Sequence, residues 1–529
     1  MHKHERIKNE SLHNRIVSAE EAASWIKDGM TLGLSGFTRA GDAKAVPFAL
    51  IERAKTEMFK VNIFTGASLG SDIDKKFAEA GIVNKRLPFQ ADATMRKKIN
   101  EGDMLFVDQH LSHTAEMLRA DTIESIDFAI LEAIAITENG IIPTTSIGNS
   151  LAFAENADKI IIEINLAHSE ELEGLHDLYS PNAQGERDPI PLTGVADRIG
   201  TIGMDIDPEK IVGIIYTNQA DSPSEIVPPD AETQIMADHL LDFFRAEVAA
   251  GRLTNQLAPL QSGIGSVANA VLHGMIDSEF EDLEVYSEVL QDAVFDLMDA
   301  GKVTFASSCS ITLSEEKMKA VYENFAKYRD KLIMRPQEIS NQPEIIRRLG
   351  LISINTALEF DIYGNVNSTH VGGTKMMNGI GGSGDFARNA RLAIFVTKSI
   401  AKNGDISSIV PFASHIDHTE HDVDVVVTEQ GYADLRGLAP RQRAQLIIEN
   451  CVHPMYQEAL QDYYAEACAR GGQTPHVLEK AFSWHQHFED YGTMHPIEAE
   501  PAEVVEAETE TEKEIEVEAE KKRELEPSY

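Results

Sequence analysis

The chain has 529 residues, with 86 acidic side chains against 47 basic ones and a formal net charge of −39. A chain this acidic excludes nucleic acid and anionic membrane surfaces as partners, because both repel it, and no apolar run is long enough to span a bilayer. The length predicts two large domains; three cysteines without paired spacing, Cys309, Cys451 and Cys468, exclude a disulfide framework and point to a reducing compartment, the cytoplasm.

The first fifteen residues, MHKHERIKNESLHNR, are polar. They show neither the apolar core of a secretory signal nor the acid-poor, Arg-rich pattern of an organelle presequence. From Met30 onward short apolar runs alternate with helix-like stretches: MTLGLSGF, KVNIFTGAS, DMLFVDQH, KIIIEIN and KIVGIIYTN. That alternation predicts α/β architecture with mainly parallel sheets. Asp108 and His110 fall at the polar end of one such strand. SPSEIVPPDAET, from Ser222 to Thr233, reads as a linker.

Beyond the linker the pattern repeats. LGLSGFTRAG is echoed by LQSGIGSVANAV, each with a Ser-Gly turn (Ser35-Gly36, Ser262-Gly263) that opens a helix. VNIFTGAS is matched by LEVYSEVLQD, and INEGDMLFVDQH by MDAGKVTFASS. FAILEAIAITENG is matched by LISINTALEFDIYGN, ADKIIIEIN by ARLAIFVTK, and KIVGIIYTN by HDVDVVVTEQG. The expected fold is therefore two similar open α/β domains, 1–222 and 234–495. Their cleft is the expected ligand site. A Glu-rich tail over 496–529 holds too few large apolar residues to bury a core and is expected to be disordered.

Glu288, in VYSEVLQD, ends an apolar strand-like run that precedes a helix starting near Gln291-Asp292. Open α/β sheets place ligands at the C-terminal ends of their strands, and a partly desolvated acid there is a strong nucleophile. Two glycine turns flank it: QSGIGS before, and NGIGGSGDF, with Gly379, Gly381, Gly382 and Gly384, after. Such turns present bare N–H groups to an oxyanion. Arg388, Arg391, Lys398 and Lys402 follow the second loop and suit a phosphorylated ligand. Cys309 in SSCS reads as a buried strand and turn. The histidines of HIDHTEHD, His415, His418 and His421, are three apart and do not converge on a strand, so a hydrogen-bonded loop is expected and no metal.

Taken together, QSGIGSVANAV, YSEVLQD, ISNQPEIIRRLGLISINTALEFDIYGNVNSTH, GIGGSGDF, HIDHTEHD and VTEQG resemble the class I CoA-transferases. Within these the match is to the acetyl-CoA hydrolase/transferase family, which includes the succinyl-CoA:acetate CoA-transferases. The resemblance implies that Glu288 is the nucleophile and that the backbone N–H groups of Ile264 and Gly382 form the oxyanion hole. It further implies that Asn341 and Glu429 are active-site residues, and that CoA contacts fall on Ser262, Gly263, Ile264, Gly265, Asn378, Gly382, Gly384 and Lys402. The implied activity moves CoA between a short-chain acyl-CoA (acetyl, propionyl or succinyl) and a carboxylate such as acetate or succinate, through a glutamyl-CoA thioester. No tightly bound cofactor is implied, and a homodimer is. Where some relatives that use short dicarboxylates carry an arginine after the TN near Ile214, this chain reads TNQADSPSE, which bears on succinate as acceptor.

Three rivals remain at this point. An acetyl-CoA hydrolase would use the same glutamate with water as the acceptor. A regulatory nucleotide-binding protein would have kept the glycine loop, but has no use for Glu288 and Asn341. A dinucleotide oxidoreductase predicts an early strand–GxGxxG–helix unit, which the N-terminal region lacks.

Overall fold

The computed structural model describes residues 3–222, 229–263 and 265–495. The first half builds one sheet from β1 (Thr31–Leu34), β2 (Val61–Phe64), β3 (Val83–Leu87), β4 (Leu105–Phe106), β5 (Ile126–Thr137), β6 (Gly140–Pro143), β7 (Ala157–Asn165) and β8 (Ile211–Thr217). Their order is β4-β3-β2-β1-β5-β7-β8, all parallel, with β6 folded back antiparallel onto β5. The second half supplies β9 (Leu260–Ser262), β10 (Leu283–Tyr286), the short β11 (Val289–Leu290), β12 (Val303–Ser308), the short β13 (Ser310–Ile311), β14 (Leu332–Met334) and β15 (Ile352–Thr356). It continues with β16 (Leu392–Val396), β17 (Val425–Thr428) and β18 (Gly431–Asp434). The second large sheet runs β14-β12-β10-β9-β15-β16-β17-β18, parallel except for the β17–β18 hairpin.

Seven strands of the two orders correspond in sequence, with β6 of the first sheet and β18 of the second as additions, so the duplicated α/β architecture read from the sequence is the architecture observed. Even an irregularity is shared: the register shifts after the first residue of β2 against β3, and again after the first residue of β10 against β12. Two details of the repeat differ from expectation. KVTFASS forms β12, whose counterpart is β3 and not DMLFVDQH; that segment yields the edge strand β4, which matches β14. The run VNKRL hid β3 because its Arg86 is wholly buried, paired with Asp74 and donating to Ala67 O at 3.0 Å. The Ser262-Gly263 turn does open a helix directly, Ser266–Gly274, but Ser35-Gly36 leads into a loop, and its helix starts only at Ala45.

Parallel strands covered on both faces read as continuous apolar runs; β5, IDFAILEAIAIT, is buried along nearly its whole length. One apolar cluster runs through both halves, from Leu131 and Ile142 to Val285, Leu290 and Met334. Backbone bonds also cross between them: Ile147 N–H to Cys309 O and Ile311 N–H to Thr145 O, each 2.9 Å. The halves are thus fastened together along the strand ends where the cleft lies. Among the described residues no helix is long and apolar enough to cross a membrane.

Candidate active site

β10 ends at Tyr286, and Glu288 sits in the bend between β10 and β11. Several bonds fix that bend. Tyr286 donates its hydroxyl to Ile339 O at 2.7 Å, and Ser287 donates N–H to Ser307 O and O–H to Ser262 O. Glu288 O accepts from the N–H groups of Cys309 (3.1 Å) and Ser310 (3.0 Å) and from the Cys309 thiol (3.2 Å). Cys309 is therefore buried scaffolding behind the glutamate, its thiol pushed far up by burial and by the Glu288 charge. The sequence expectation of a buried strand and turn there holds.

With its backbone fixed, the half-buried Glu288 carboxyl faces a cavity of about 190 Å³. Phe37, Ala67, Phe89 and Leu111 of the first half line one side; Gly263, Val289, Asn378 and Ile380 line the other. Burial pushes the Glu288 pKa up to about 7, against the pull of the Asn341 amide, whose Nδ2 donates to Oε1 at 2.9 Å. Asn341 follows the short helix Gln337–Ser340 and is fully buried.

The glycine loop lies over the same carboxylate. A Cβ on Gly382 would stand 1.6 Å from Glu288 Oε1 and 2.5 Å from Asn341 Nδ2. Glycine is required there by space and not by backbone conformation, since its φ is −89°. Gly381 (φ +60°) and Gly265 (φ +142°) take the conformations that favour glycine. Gly384 abuts His110 of the first half: a Cβ would meet the ring at 2.2 Å. Asp108 Oδ1 accepts the Ile380 N–H at 2.8 Å. Asp108 and His110 thus pack against the glycine loop and line neither cavity. Burial moves them in opposite senses, Asp108 up to about 7 and His110 down to about 4, so the imidazole is neutral.

The remaining sequence candidates divide. Gly263 and Asn378 line the cavity, and Gly265 begins the wall of a larger cleft. Ser262 supports Ser287 through its carbonyl. Ile264 lies outside the described residues, as do 223–228 of the linker and the tail 496–529. Glu429 accepts from Ser399 N–H (2.8 Å) and Gln430 Nε2 (3.0 Å), tying the segment after β16 to the end of β17, and does not line the cavity. Lys402 holds its ammonium 4.7 Å from the centre of the Phe488 ring.

The cations after the glycine loop do not gather. Lys398 pairs with Asp230 and Glu232, Arg388 reaches Asp422, and Arg391 donates to Arg252 O. The cations that do line the larger cleft, about 620 Å³, are Arg39, Lys75 and Arg96 of the first half, facing Gly265, Ser266 and Val267 of the second. These three are separated in the chain, and no local pattern groups them. The two cavities share Thr38, Phe89, Thr356, Ser368 and Asn378, so they adjoin.

In HIDHTEHD the rings take separate partners. His415 faces Asp417 at 3.2 Å, and His418 Nε2 is 3.0 Å from Ser383 Oγ. Ser383 spends its hydroxyl proton on Ile380 O, so His418 Nε2 is the donor to it. The group able to offer metal ligands is elsewhere: Glu132, His168 and Asp221. There the Lys44 ammonium already acts as the cation, 2.7 Å from Glu132 and 3.4 Å from Asp221. Two residues absent from the sequence reading are Asp385 and Ser112. Asp385 Oδ2 is 3.4 Å from Asn341 Nδ2, and Ser112 donates both N–H and O–H to the same carboxylate. Asp385 stands inside GIGGSGDF and was legible as an acid in a glycine loop. Ser112 had no local mark.

A half-buried glutamate of raised pKa beside an amide donor and a glycine loop, next to a cleft whose lining holds three cations and three acids, is equipment for acyl transfer. Family models agree with it: the acetyl-CoA hydrolase/transferase N-terminal domain matches residues 1–216 and the C-terminal domain residues 318–464. The chain is 53% identical to a succinyl-CoA:acetate CoA-transferase of Clostridium kluyveri over 92% of each chain. It is 42% identical to an acetyl-CoA hydrolase of Kluyveromyces lactis, over 93% of this chain and 97% of that one. Among solved structures, RipA from Yersinia pestis shares the fold with a TM-score of 0.65 at 21% identity, covering 86% of this chain and 97% of the other. The chain belongs to the acetyl-CoA hydrolase/transferase family.

Proposed function

We propose that this enzyme is an acyl-CoA:carboxylate CoA-transferase that works through Glu288. The observation that carries the reading is the seating of Glu288: a carboxylate with its pKa raised to about 7, held by Asn341 and pressed against Gly382, in a cavity that adjoins a larger cleft. The larger chamber, with Arg39, Lys75 and Arg96, suits the phosphates of CoA, and the smaller, mainly apolar chamber beside Glu288 suits a short acyl chain.

In the first step the Glu288 carboxylate attacks the thioester carbonyl; the C–S bond breaks, giving an acyl-glutamyl anhydride and CoA thiolate. The thiolate then attacks the glutamyl carbonyl, forming a glutamyl-CoA thioester and releasing the free carboxylate. A second carboxylate, acetate or succinate, retraces the path and leaves as its CoA thioester. The thioester bond is conserved throughout, so no ATP is required. Each tetrahedral step places negative charge on an oxygen, and a backbone donor aimed at it is worth about 3 kcal/mol; Gly382 is the candidate donor among the described residues, and the resemblance implies Ile264 as the second. The Gly382 N–H makes no hydrogen bond to any described residue, which leaves it available for this role. Binding energy from the remote nucleotide end of CoA is used at the reacting centre.

Hydrolysis is the second reading, favoured by the similarity to the Kluyveromyces lactis protein named acetyl-CoA hydrolase. It uses the same glutamyl intermediate with water as the acceptor. The remaining parts of the proposal are two domains, 1–222 and 234–495, a homodimer, and a cytoplasmic location, the last supported by three free cysteines. The test is incubation with acetyl-CoA without acceptor, borohydride reduction and peptide mass mapping. Modification at Glu288 is expected, and modification at another acid, or none, overturns the reading.

A further inference from the structure

The first half reads along the glycine loop of the second with three alternate residues. Asp108 takes the Ile380 N–H, His110 packs against Gly384, and Ser112 grips Asp385. The last contact is the most constrained. Ser112 donates its hydroxyl to Asp385 Oδ1 at 2.6 Å and its N–H to Oδ2 at 3.1 Å, and both residues are buried. Asp385 Oδ2 in turn lies 3.4 Å from Asn341 Nδ2, the atom that donates to Glu288 at 2.9 Å.

An asparagine amide has two ends of nearly equal shape and opposite polarity. Here its NH₂ end stands between two carboxyl groups, one hydrogen directed at Glu288 and the other at Asp385. Its Oδ1 is buried without a hydrogen-bond partner among the described residues. A buried unpaired carbonyl is costly, so the amide holds this orientation only because turning it over would set Oδ1 against both acids. Without an acceptor at Asp385, half of that preference disappears.

We propose that Ser112 and Asp385 form a positioning relay for the nucleophile: Ser112 of the first half fixes Asp385, Asp385 fixes the amide of Asn341, and Asn341 fixes the Glu288 carboxylate. The proposal rests on the transferase reading of Glu288. Neither Ser112 nor Asp385 lines the cavity; both are positioning residues acting through Asn341. Through them the two halves are coupled: a contact made by one half sets the aim of a nucleophile carried by the other.

The experiment is a double-mutant cycle read by single-turnover modification of Glu288 with acetyl-CoA. Asp385→Asn is expected to slow modification about 30-fold with the CoA dissociation constant within about twofold of wild type. In an Asn341→Ala background the same change is expected to add less than about twofold, because the relay has already lost its middle member. Ser112→Ala is expected to slow the step about fivefold, and Ser112→Thr, which keeps a hydroxyl, to restore it. Should Asp385→Asn fail to fold, Ser112→Ala in the two backgrounds makes the same cycle. Losses that multiply in the double variants, a loss confined to CoA affinity, or a wild-type rate in Ser112→Ala each overturn the relay. Failure of the wild-type protein to form any adduct at Glu288 overturns the transferase reading itself, so the two failures are distinguishable.

Discussion

Replacing Gly382 by alanine is the sharpest perturbation of this site, because the structure says where the new methyl goes. It would stand 1.6 Å from Glu288 Oε1, 2.3 Å from Glu288 Cδ and 2.5 Å from Asn341 Nδ2, whereas ordinary contact begins near 3.4 Å. The Gly382 backbone, with φ −89° and ψ −5°, accepts alanine without strain. The clash must therefore be relieved by the side chains, and the carboxylate must retreat by about 1.8 Å. A misplacement of about 1 Å at a reacting group costs on the order of 100-fold in rate, so kcat is expected to fall at least that far. The methyl meets Glu288 and Asn341, neither of which lines the chamber with Arg39, Lys75 and Arg96, so the dissociation constant for CoA should change by less than about twofold. Overpacking of this kind costs about 1–3 kcal/mol of stability, which leaves a folded protein with a lower melting temperature. The assay compares kcat, CoA affinity by calorimetry, and the melting temperature. A kcat within about threefold of wild type, or equal modest losses in kcat and affinity, would refute the placement of Gly382 over the nucleophile.

Three further outcomes are expected. Glu288 must be ionised to attack, so the acid limb of the pH–rate profile of the free enzyme should bend near pH 7, and a bend near 4.5 would show a solvated acid instead. Glu288, Asp385 and Asp108 all have pKa values raised to about 7 by burial. The folded state therefore binds more protons than the unfolded state between about pH 4.5 and 7, and these groups make stability decline as pH rises through that window. Glu288→Gln removes one such buried charge; at pH 8 it should raise the melting temperature by a few degrees while abolishing transfer, and a lowered melting temperature would count against the burial argument. Initial-rate plots should be parallel, with acetate–acetyl-CoA exchange in the absence of the other substrate pair, and intersecting lines without exchange would indicate a ternary complex.

The grouping of Glu288, Asn341 and the glycine loop was legible because each sits in a short local motif. Glu288 ends an apolar strand, Asn341 stands in ISNQPE, and the glycines announce a close approach that Gly382 bears out at 1.6 Å. The repeat was legible for the same reason: apolar runs mark strands, and their order carries over from one half to the other. What escaped was long-range or disguised. β3 was missed because Arg86 reads as a surface residue until Asp74 and the carbonyls around it are seen. The cations of the larger cleft escaped because Lys398 and Arg388, neighbours in sequence, pair with surface acids, while Arg39, Lys75 and Arg96 meet only in the fold. Ser112 meets Asp385 across 273 residues, a separation over which no local pattern operates.

The shared register shift in β2 and β10 fixes which residue of the first half stands where the nucleophile stands in the second. Counting from Phe64 and Tyr286, the counterpart of Glu288 is Gly66. A Cβ at Gly66 would lie 2.7 Å from Gly36 O and 2.9 Å from the Phe37 ring, so that position is closed to any side chain. Duplication has therefore not produced two reaction centres. On the proposed mechanism each chain forms a single covalent adduct, and saturating modification should stop at one equivalent per polypeptide however many copies assemble.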